Sequence, residues 1–350
     1  MRRAQPLWQD GGRLDKKHAA MKRTGGLFEI VTSYDQLLKS YRKARSGTRK
    51  TDAVCAYGFH LENNLLELRR ELLDGEYQPR PYRYFELRDP KRRTIAVADF
   101  KDRVVHHAVV GALEPVFERL FIHDSYATRK GKGAHSAVFQ AQRYLRRSPY
   151  FLKTDIEKYF DSIDQGILLN LIERKIKDNR LIELISRILS NGGRSGVGLP
   201  IGNLTSQFFA NVYLNGFDHW IKETKRERYY IRYMDDFVVF SNEKTHLKSL
   251  LVDMKAWLDT NLNLRLKPGA TFMNKTDNGL SFLGTRIFPA LIRIHPENAR
   301  RASRKLLQTN IAWKNGDITD ESYFQSLNSY DSYFSVYGTR EIIKIIFENL

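Results

Sequence analysis

Tyr229-Tyr230-Ile231-Arg232-Tyr233-Met234-Asp235-Asp236-Phe237-Val238-Val239-Phe240-Ser241 is the stretch whose reading decides the fold. Two short runs of aromatic and β-branched residues flank a pair of carboxylates, which predicts two strands joined by a tight turn at Asp235-Asp236. Neighbouring residues of a straight strand point to opposite faces, so adjacent aspartates converge on one site only where the backbone turns. Asp is common in turns that merely face water, and a bare Asp-Asp pair says no more than that. Here both flanks are hydrophobic, which makes the strands central and holds the carboxylates rigidly at their end. A rigid acidic pair is what a divalent cation with hard oxygen preference requires.

A second acidic cluster stands upstream in Tyr150-Phe151-Leu152-Lys153-Thr154-Asp155-Ile156-Glu157-Lys158-Tyr159-Phe160-Asp161, again an apolar strand that runs into an aspartate. Taken alone, Asp155 reads as a helix N-cap. With Asp235 and Asp236 it forms the other half of one metal-binding site. Phosphoryl transfer uses two ions roughly 3.5–4 Å apart, held by carboxylates from separate strands. Mg²⁺ keeps several waters and binds substrate phosphates, so few protein ligands suffice; Mn²⁺ fits the same oxygen set.

Around these strands the chain alternates helical and extended patterns. Ser33 opens a helical repeat through Tyr34, Leu37, Leu38 and Tyr41, and Leu61 to Leu73 continues in the same period. Residues 79–99 predict a hairpin with the basic tip Asp89-Pro90-Lys91-Arg92. Helices are expected over 100–119, 134–147, 165–189 as a pair, 205–222 and 245–260. Further strands are expected near 262–266, 280–283 and 285–288, completing a sheet with helices on one side, and residues 296–350 read as helical. The fold class is α+β.

Composition narrows the partners. The chain has 350 residues, 42% of them hydrophobic, enough for a sizeable core. A net charge of +18 and a pI near 9.8 favour an extended polyanion, either nucleic acid or an anionic membrane surface. Half of that excess lies in residues 1–50, with 13 basic and 4 acidic side chains. One cysteine, Cys55, excludes a disulfide framework and any cysteine-rich metal site, and points to a reducing compartment. No apolar run is long enough to span a bilayer, and the N-terminus lacks the apolar core of a secretory signal. A cytoplasmic location is the expectation. Residues 1–20 are basic and aperiodic, and read as a tail or an upstream start.

Three ordered blocks resemble the reverse transcriptase family. Tyr233-Met234-Asp235-Asp236 matches its palm signature, Leu152 to Ile156 followed by Phe160 matches its first catalytic block, and Gly198-Leu199-Pro200-Ile201-Gly202-Asn203-Leu204-Thr205-Ser206-Gln207 matches the block between them. The resemblance implies a right-hand polymerase fold: fingers over 21–149, palm over 150–290 with a fingers insertion around 165–204, and a helical thumb over 291–350. It implies that Asp155, Asp235, Asp236 and the Ile156 carbonyl hold two Mg²⁺ ions, and that Phe160 is the bulky gate beside the sugar 2′ position. Core packing is the duller reading of Phe160. Lys91 and Arg93 match contacts to the incoming triphosphate and base, though a solvated hairpin tip would look the same. Phe282-Leu283-Gly284 resembles the primer-grip turn.

Two basic clusters are candidate template or primer contacts. Arg129-Lys130-Gly131-Lys132-Gly133 precedes a helix whose first amides can hold phosphate, without the spacing of a P-loop. Arg300, Arg301, Arg304 and Lys305 line one side of a helix, where they would add salt-dependent affinity or simply face solvent. His106 and His107 read as helix partners only. Lys267 and Lys275 are near the site in sequence, but neither fits the spacing of a proton donor to pyrophosphate.

Within the family, Ile201 and Gln207 depart from the commoner Gln after Leu-Pro and the Ser-Pro ending. Leu-Pro-Ile-Gly-Asn-Leu-Thr-Ser-Gln resembles the reverse transcriptases of diversity-generating retroelements, as does Phe100 to Ala108. That likeness implies a bacterial or phage-encoded enzyme that copies a template RNA into cDNA with frequent errors at adenine, by mutagenic retrohoming, aided by a small basic accessory protein. Its partners would be RNA template and primer, cDNA product and deoxynucleoside triphosphates, with no membrane. Two other readings stay open: a phage-defence or retron-like reverse transcriptase, and a non-catalytic RNA-binding protein that kept the fold.

Overall fold

The computed structural model describes residues 23–46, 51–88, 92–192 and 196–337. The tail 1–20, Lys91 and the last residues of the expected C-terminal helices lie outside them. Four helices open the described chain: α1 (Leu27–Thr32), α2 (Tyr34–Arg45), α3 (Asp52–Phe59) and α4 (Leu61–Asp74). Ser33 caps α2 by accepting from the Gln36 amide, and Arg42, Lys43 and Arg45 complement the dipole in its last turn. The hairpin follows as β1 (Arg83–Arg88) and β2 (Arg92–Val97), then the long α5 (Phe100–Phe117) capped by Asp99. Helix α5 buries residues around most of its circumference, which makes it the central post of this first half.

Helix α6 (Ala134–Leu145) leads into β3 (Tyr150–Asp155), the four-residue α7 (Tyr159–Ser162), α8 (Gln165–Glu173) and α9 (Asn179–Ser190). The segment carrying α8 and α9 turns back onto the N-terminal helices: Arg23 and Thr24 bond to the 175–177 loop, and the Leu27 amide donates to Asp178 at 2.7 Å. Next come α10 (Leu204–His219), extended by one π-helical stretch to Thr224, then β4 (Tyr230–Tyr233), β5 (Asp236–Ser241) and α11 (Lys244–Leu262). The rest is β6 (Phe272–Lys275), β7 (Leu280–Phe282), β8 (Thr285–Ile287), β9 (Ile292–Ile294), α12 (Pro296–Lys314) and α13 (Asp320–Ser335).

The central sheet is antiparallel in the order β4-β5-β3-β6. Alternation along β3 and β5 splits the core between its two faces. Leu152, Phe237 and Val239 face the large cluster that includes α10 and α11, whereas Phe151, Val238 and Phe240 face a second cluster with α6, the β7-β8-β9 sheet and α12. Both faces are therefore covered, against the expected single layer of helices. β7 and β8 form a separate three-stranded sheet with β9; neither that strand nor β6 is among the sequence expectations. Residues 262–266 are not a strand: they close α11 and touch Ile156 through one isolated bridge at Leu266.

Candidate active site

The turn of the β4-β5 hairpin is one residue earlier than the sequence predicts. Tyr233 pairs with Asp236, so Met234 and Asp235 are the two turn residues and Asp236 begins the strand. Met234 takes a left-handed conformation, φ 57°, which a non-glycine residue adopts only when its surroundings impose it. Asp155 stands directly across from Asp236 in the β3-β5 register, and directly opposed residues share a face. Asp235, in the turn next to Asp236, lies close enough to Asp155 for the two carboxyl charges to interact. The register and the turn thus gather all three aspartates at one end of the sheet.

Lys153, two residues before Asp155 and on the same face, reaches Asp236 with Nζ 3.2 Å from Oδ2 and also donates to the Ser281 carbonyl at 2.9 Å. Burial pushes the Asp235 carboxyl up to about 7, with the Asp155 charge adding to it. Burial likewise raises Asp236, to about 6, against the opposing pull of Lys153. Asp236 Oδ1 is buried without a hydrogen-bond partner. The chain thus concentrates carboxylates with one lysine to balance them and leaves an acceptor unused.

These oxygens fit a hard divalent cation, which would satisfy the orphaned Oδ1 and offset the repulsion. Among the described residues no three His, Cys, Asp or Glu side chains form a ready-made metal cage. Ile156 follows Asp155 at the end of β3 and bridges to Leu266. The Asp155 carbonyl accepts from the Lys267 amide and the Glu157 amide donates to the Arg265 carbonyl, so in this antiparallel bridge the Ile156 carbonyl faces the other way, toward the hairpin. Lys267 sits beside the site through that bond, whereas Lys275 pairs with Tyr150 at the far end of β3.

Residues 198–202 link the β1-β2 hairpin to the segment after β3. The Leu199 amide donates to the Phe160 carbonyl at 2.7 Å, and the Ile201 carbonyl accepts from Ala96 in β2 at 2.8 Å. Gly202, at φ 114°, packs so closely on Ile95 and Ala96 that a Cβ would collide with them. The loop ties the β1-β2 hairpin to α7, bringing Ile201 and Phe160 onto one structural unit. Phe160 is half-buried, with its ring edge-on to Tyr159. Arg93 is exposed three residues before Ala96, and Gln207 is half-buried in the first turn of α10.

The cluster before α6 needs correction. Arg129 is committed internally: it pairs with Glu118, donates to the Ile122 and Ser125 carbonyls at 2.6 and 2.8 Å, and its side chain is 6% exposed. It shapes the loop and leaves no donor face for a template. Lys132 donates to the His123 carbonyl and lies over the Tyr126 ring, so it too has a local partner. Arg300 and Arg304 are exposed on α12, while Arg301 is half-buried and bonds to Asn298. Gly284 fills a two-residue turn with Leu283, both at positive φ, and its carbonyl accepts from the His295 amide and the Asn298 side chain at 2.9 and 3.0 Å. A Cβ there would strike Asn298. The turn is the joint on which α12 starts. His106 is fully enclosed and its proton affinity falls to about 3 through burial, as a packing residue of α5.

Sequence reading missed a buried ionic network. Arg232 is fully buried and forks onto the fully buried Asp218, with Nε 2.8 Å from Oδ1 and Nη2 2.6 Å from Oδ2. Nη1 donates to Asn211 Oδ1 at 3.0 Å and to the Met234 carbonyl at 2.9 Å, and Tyr230 also donates to Asp218. Burial disfavours the Arg232 charge, but Asp218 more than offsets it and keeps the guanidinium protonated. Removing one member of such a pair typically costs about 3–5 kcal/mol, because the other charge stays buried. Two isolated charges within apolar faces, Arg232 in a strand and Asp218 in a helix, were the available signal.

Comparison with known proteins identifies the family. The sequence pattern described as reverse transcriptase (RNA-dependent DNA polymerase) matches residues 88–287. The chain belongs to the reverse transcriptase family. Protein YkfC of Escherichia coli K12 is 26% identical over 302 residues, covering 71% of this chain and 79% of that one. The group II intron-encoded protein LtrA of Lactococcus lactis subsp. cremoris is 30% identical over 174 residues, 47% of this chain and 29% of that one. Thus the match spans most of YkfC but under a third of LtrA. An apo telomerase structure from Candida tropicalis aligns with a TM-score of 0.45 at 13% identity, over 62% of this chain and 49% of that one. As a member of the family the protein is an RNA-directed DNA polymerase, and its α+β architecture is the right-hand polymerase fold. Among the described residues no helix is long and apolar enough to cross a membrane.

Proposed function

We propose that this reverse transcriptase extends a primer on an RNA template by two-metal phosphoryl transfer, with Asp155, Asp235, Asp236 and the Ile156 carbonyl holding two Mg²⁺ ions. The carrying observation is the strand register that sets Asp155 opposite Asp236, with Asp235 in the adjoining turn and Asp236 Oδ1 unpartnered. Bound there, divalent ions would lower the charge cost of attack by the primer 3′ hydroxyl and of pyrophosphate departure. The chain's own residues do the rest. Asp155 and Asp235 are fixed by strand register and turn, Lys153 restrains Asp236, and the 198–202 loop places Ile201 and Phe160 as one wall of the nucleotide site. Phe160 excludes a 2′ hydroxyl by clash. Arg93 supplies charge from the hairpin, and Gly284 with Arg300 and Arg304 forms the primer side. The 21–149, 150–290 and 291–350 segments act as fingers, palm and thumb.

The finer reading is a polymerase of a diversity-generating retroelement, error-prone at template adenine, working in the bacterial cytoplasm with a small basic accessory protein. The apolar Ile201 in the loop that abuts Phe160 supports it. The likeness to the group II intron-encoded protein LtrA favours a second reading, an enzyme of group II intron type. Primer extension on an RNA template with Mg²⁺, comparing the parent with Asp235→Ala, tests the activity. Extension by the parent alone is expected, with a loss of about a thousandfold or more in the variant; no extension by the parent, with or without a basic partner protein, defeats the reading. Sequencing the cDNA separates the subtypes, since an excess of errors at adenine marks diversification and an even, low error rate marks the intron type.

A further inference from the structure

We infer that Arg232 is a positioning residue for the catalytic turn, working with Asp218 and Asn211. Four observations converge on it. Its Nη1 donates to the Met234 carbonyl, the peptide oxygen between the left-handed turn residue and Asp235. Its charge is held by the Asp218 fork, so the guanidinium cannot rotate away without abandoning two bonds. The same Nη1 is aimed by Asn211 Oδ1, and Asn211 in turn donates to the Ala127 carbonyl and Thr128 Oγ1 at 2.8 and 2.9 Å. Finally, the Arg232 backbone is clasped by the same loop, its amide donating to the Asp124 carbonyl and its carbonyl accepting from the Tyr126 amide.

The helix supplies the ruler. Asn211 and Asp218 are seven residues apart on α10, two turns along one stripe, and Gln207 lies one turn earlier on the same stripe. That stripe faces Tyr230 and Arg232, which alternate onto the α10 side of β4. The Arg129-locked loop, α10 and the hairpin therefore meet at one guanidinium. Without its donor, the Met234 carbonyl would be left unpaired and the turn free to adopt the ordinary negative-φ conformation, which carries Asp235 away from Asp155.

The inference rests on the metal-site reading of Asp235, and the test separates the two. Arg232→Met combined with Asp218→Leu removes both charges at similar volume, which commonly preserves or raises stability. Arg232→Lys keeps the charge beside Asp218 but cannot also reach Met234. Asn211→Asp leaves the ion pair intact and keeps an oxygen toward Arg232 while removing the donor to Ala127 and Thr128, and Asn211→Ala removes both, so the two variants separate the guide from the loop contact once each is shown to be folded. Each is assayed for thermal unfolding, for Mn²⁺ affinity of the free protein by electron paramagnetic resonance, and for kcat and KM of nucleotide addition. The expected result is a cooperative unfolding transition for every variant, near the parental temperature for the double variant and somewhat lower for Asn211→Ala. Mn²⁺ binding should be weaker and kcat lower by about ten- to a hundredfold, with nucleotide KM within about threefold. Folded variants with parental Mn²⁺ affinity and kcat overturn the inference, as does a kcat loss matched by loss of folded protein. If the parent itself adds no nucleotide, the polymerase reading fails while Mn²⁺ affinity still decides the role of Arg232.

Discussion

Lys153 and Asp236 meet diagonally across β3 and β5, Nζ to Oδ2 3.2 Å, at the one place where the carboxylate cluster has a cation of its own. The lysine opposes the burial that raises Asp236 to about 6. Replacing it by Met keeps the aliphatic stem packed near Phe282 and removes the charge. The expected result is a rise in the Asp236 pKa, moving the acidic limb of the pH-rate profile upward by about one pH unit. An unchanged acidic limb would show that Lys153 does not govern the ionisation of Asp236.

Asp235 ties stability to pH. Its pKa rises from 3.8 to about 7 on folding, so between those values the folded chain keeps a proton that the unfolded chain has released. Stability then falls as pH rises through that window, and the penalty is fully present above it. Asp235→Asn removes the penalty. In chelator, the Asn variant should gain on the parent progressively from about pH 4 to about pH 8, reaching roughly 2–4 kcal/mol, since a tenfold change in proton affinity is worth about 1.4 kcal/mol. Thermal unfolding at both pH values is the measurement. Mg²⁺ should restore the parent but not the variant. An advantage independent of pH sinks the assignment.

How much of this was legible beforehand depends on range. The β3 bounds, the helix start at Ser33, and the placing of Asp155 with Asp235 at strand ends were readable because strand alternation and turn chemistry are local. The turn register was not: Met234 at positive φ violates the local preference that placed the turn at Asp235-Asp236, and the violation is held by Arg232 from outside the turn. Arg129 misled for a similar reason. Its basic, glycine-rich setting resembles a phosphate site, but its carboxylate partner, Glu118, lies eleven residues upstream in the turn after α5.

Gly284 is expected to set how the thumb holds the primer. A side chain at its φ of 80° is strained, and it would press on Asn298 at the start of α12. Gly284→Ala should loosen this joint at a cost of about 1–3 kcal/mol. Single-nucleotide addition, which depends on the palm, should persist, whereas product length in the presence of a trap for released enzyme should shorten. Equal product lengths for parent and variant would contradict the role.

Ile201 is where the error spectrum can be tested without disturbing the scaffold. Its carbonyl is fixed by the Ala96 amide and its neighbour Leu199 by the Phe160 carbonyl, both through backbone atoms. Ile201→Gln therefore leaves the loop in place and changes only the side chain, which on the proposed reading faces the nucleotide. An apolar side chain gives the incoming base no polar constraint, while a Gln amide offers a hydrogen bond that a misplaced base cannot satisfy, and such an unmet bond is what discrimination feeds on. Errors opposite template adenine should fall several-fold in cDNA made by Ile201→Gln, with extension rate on matched template little changed. Arg93→Ala, exposed on the same hairpin that anchors the loop, should instead raise nucleotide KM. Adenine errors that stay the same in Ile201→Gln would remove Ile201 from the fidelity mechanism. A parent without excess adenine errors would remove the diversifying role itself and leave the intron-type polymerase as the reading that the hairpin, the loop and the three aspartates support.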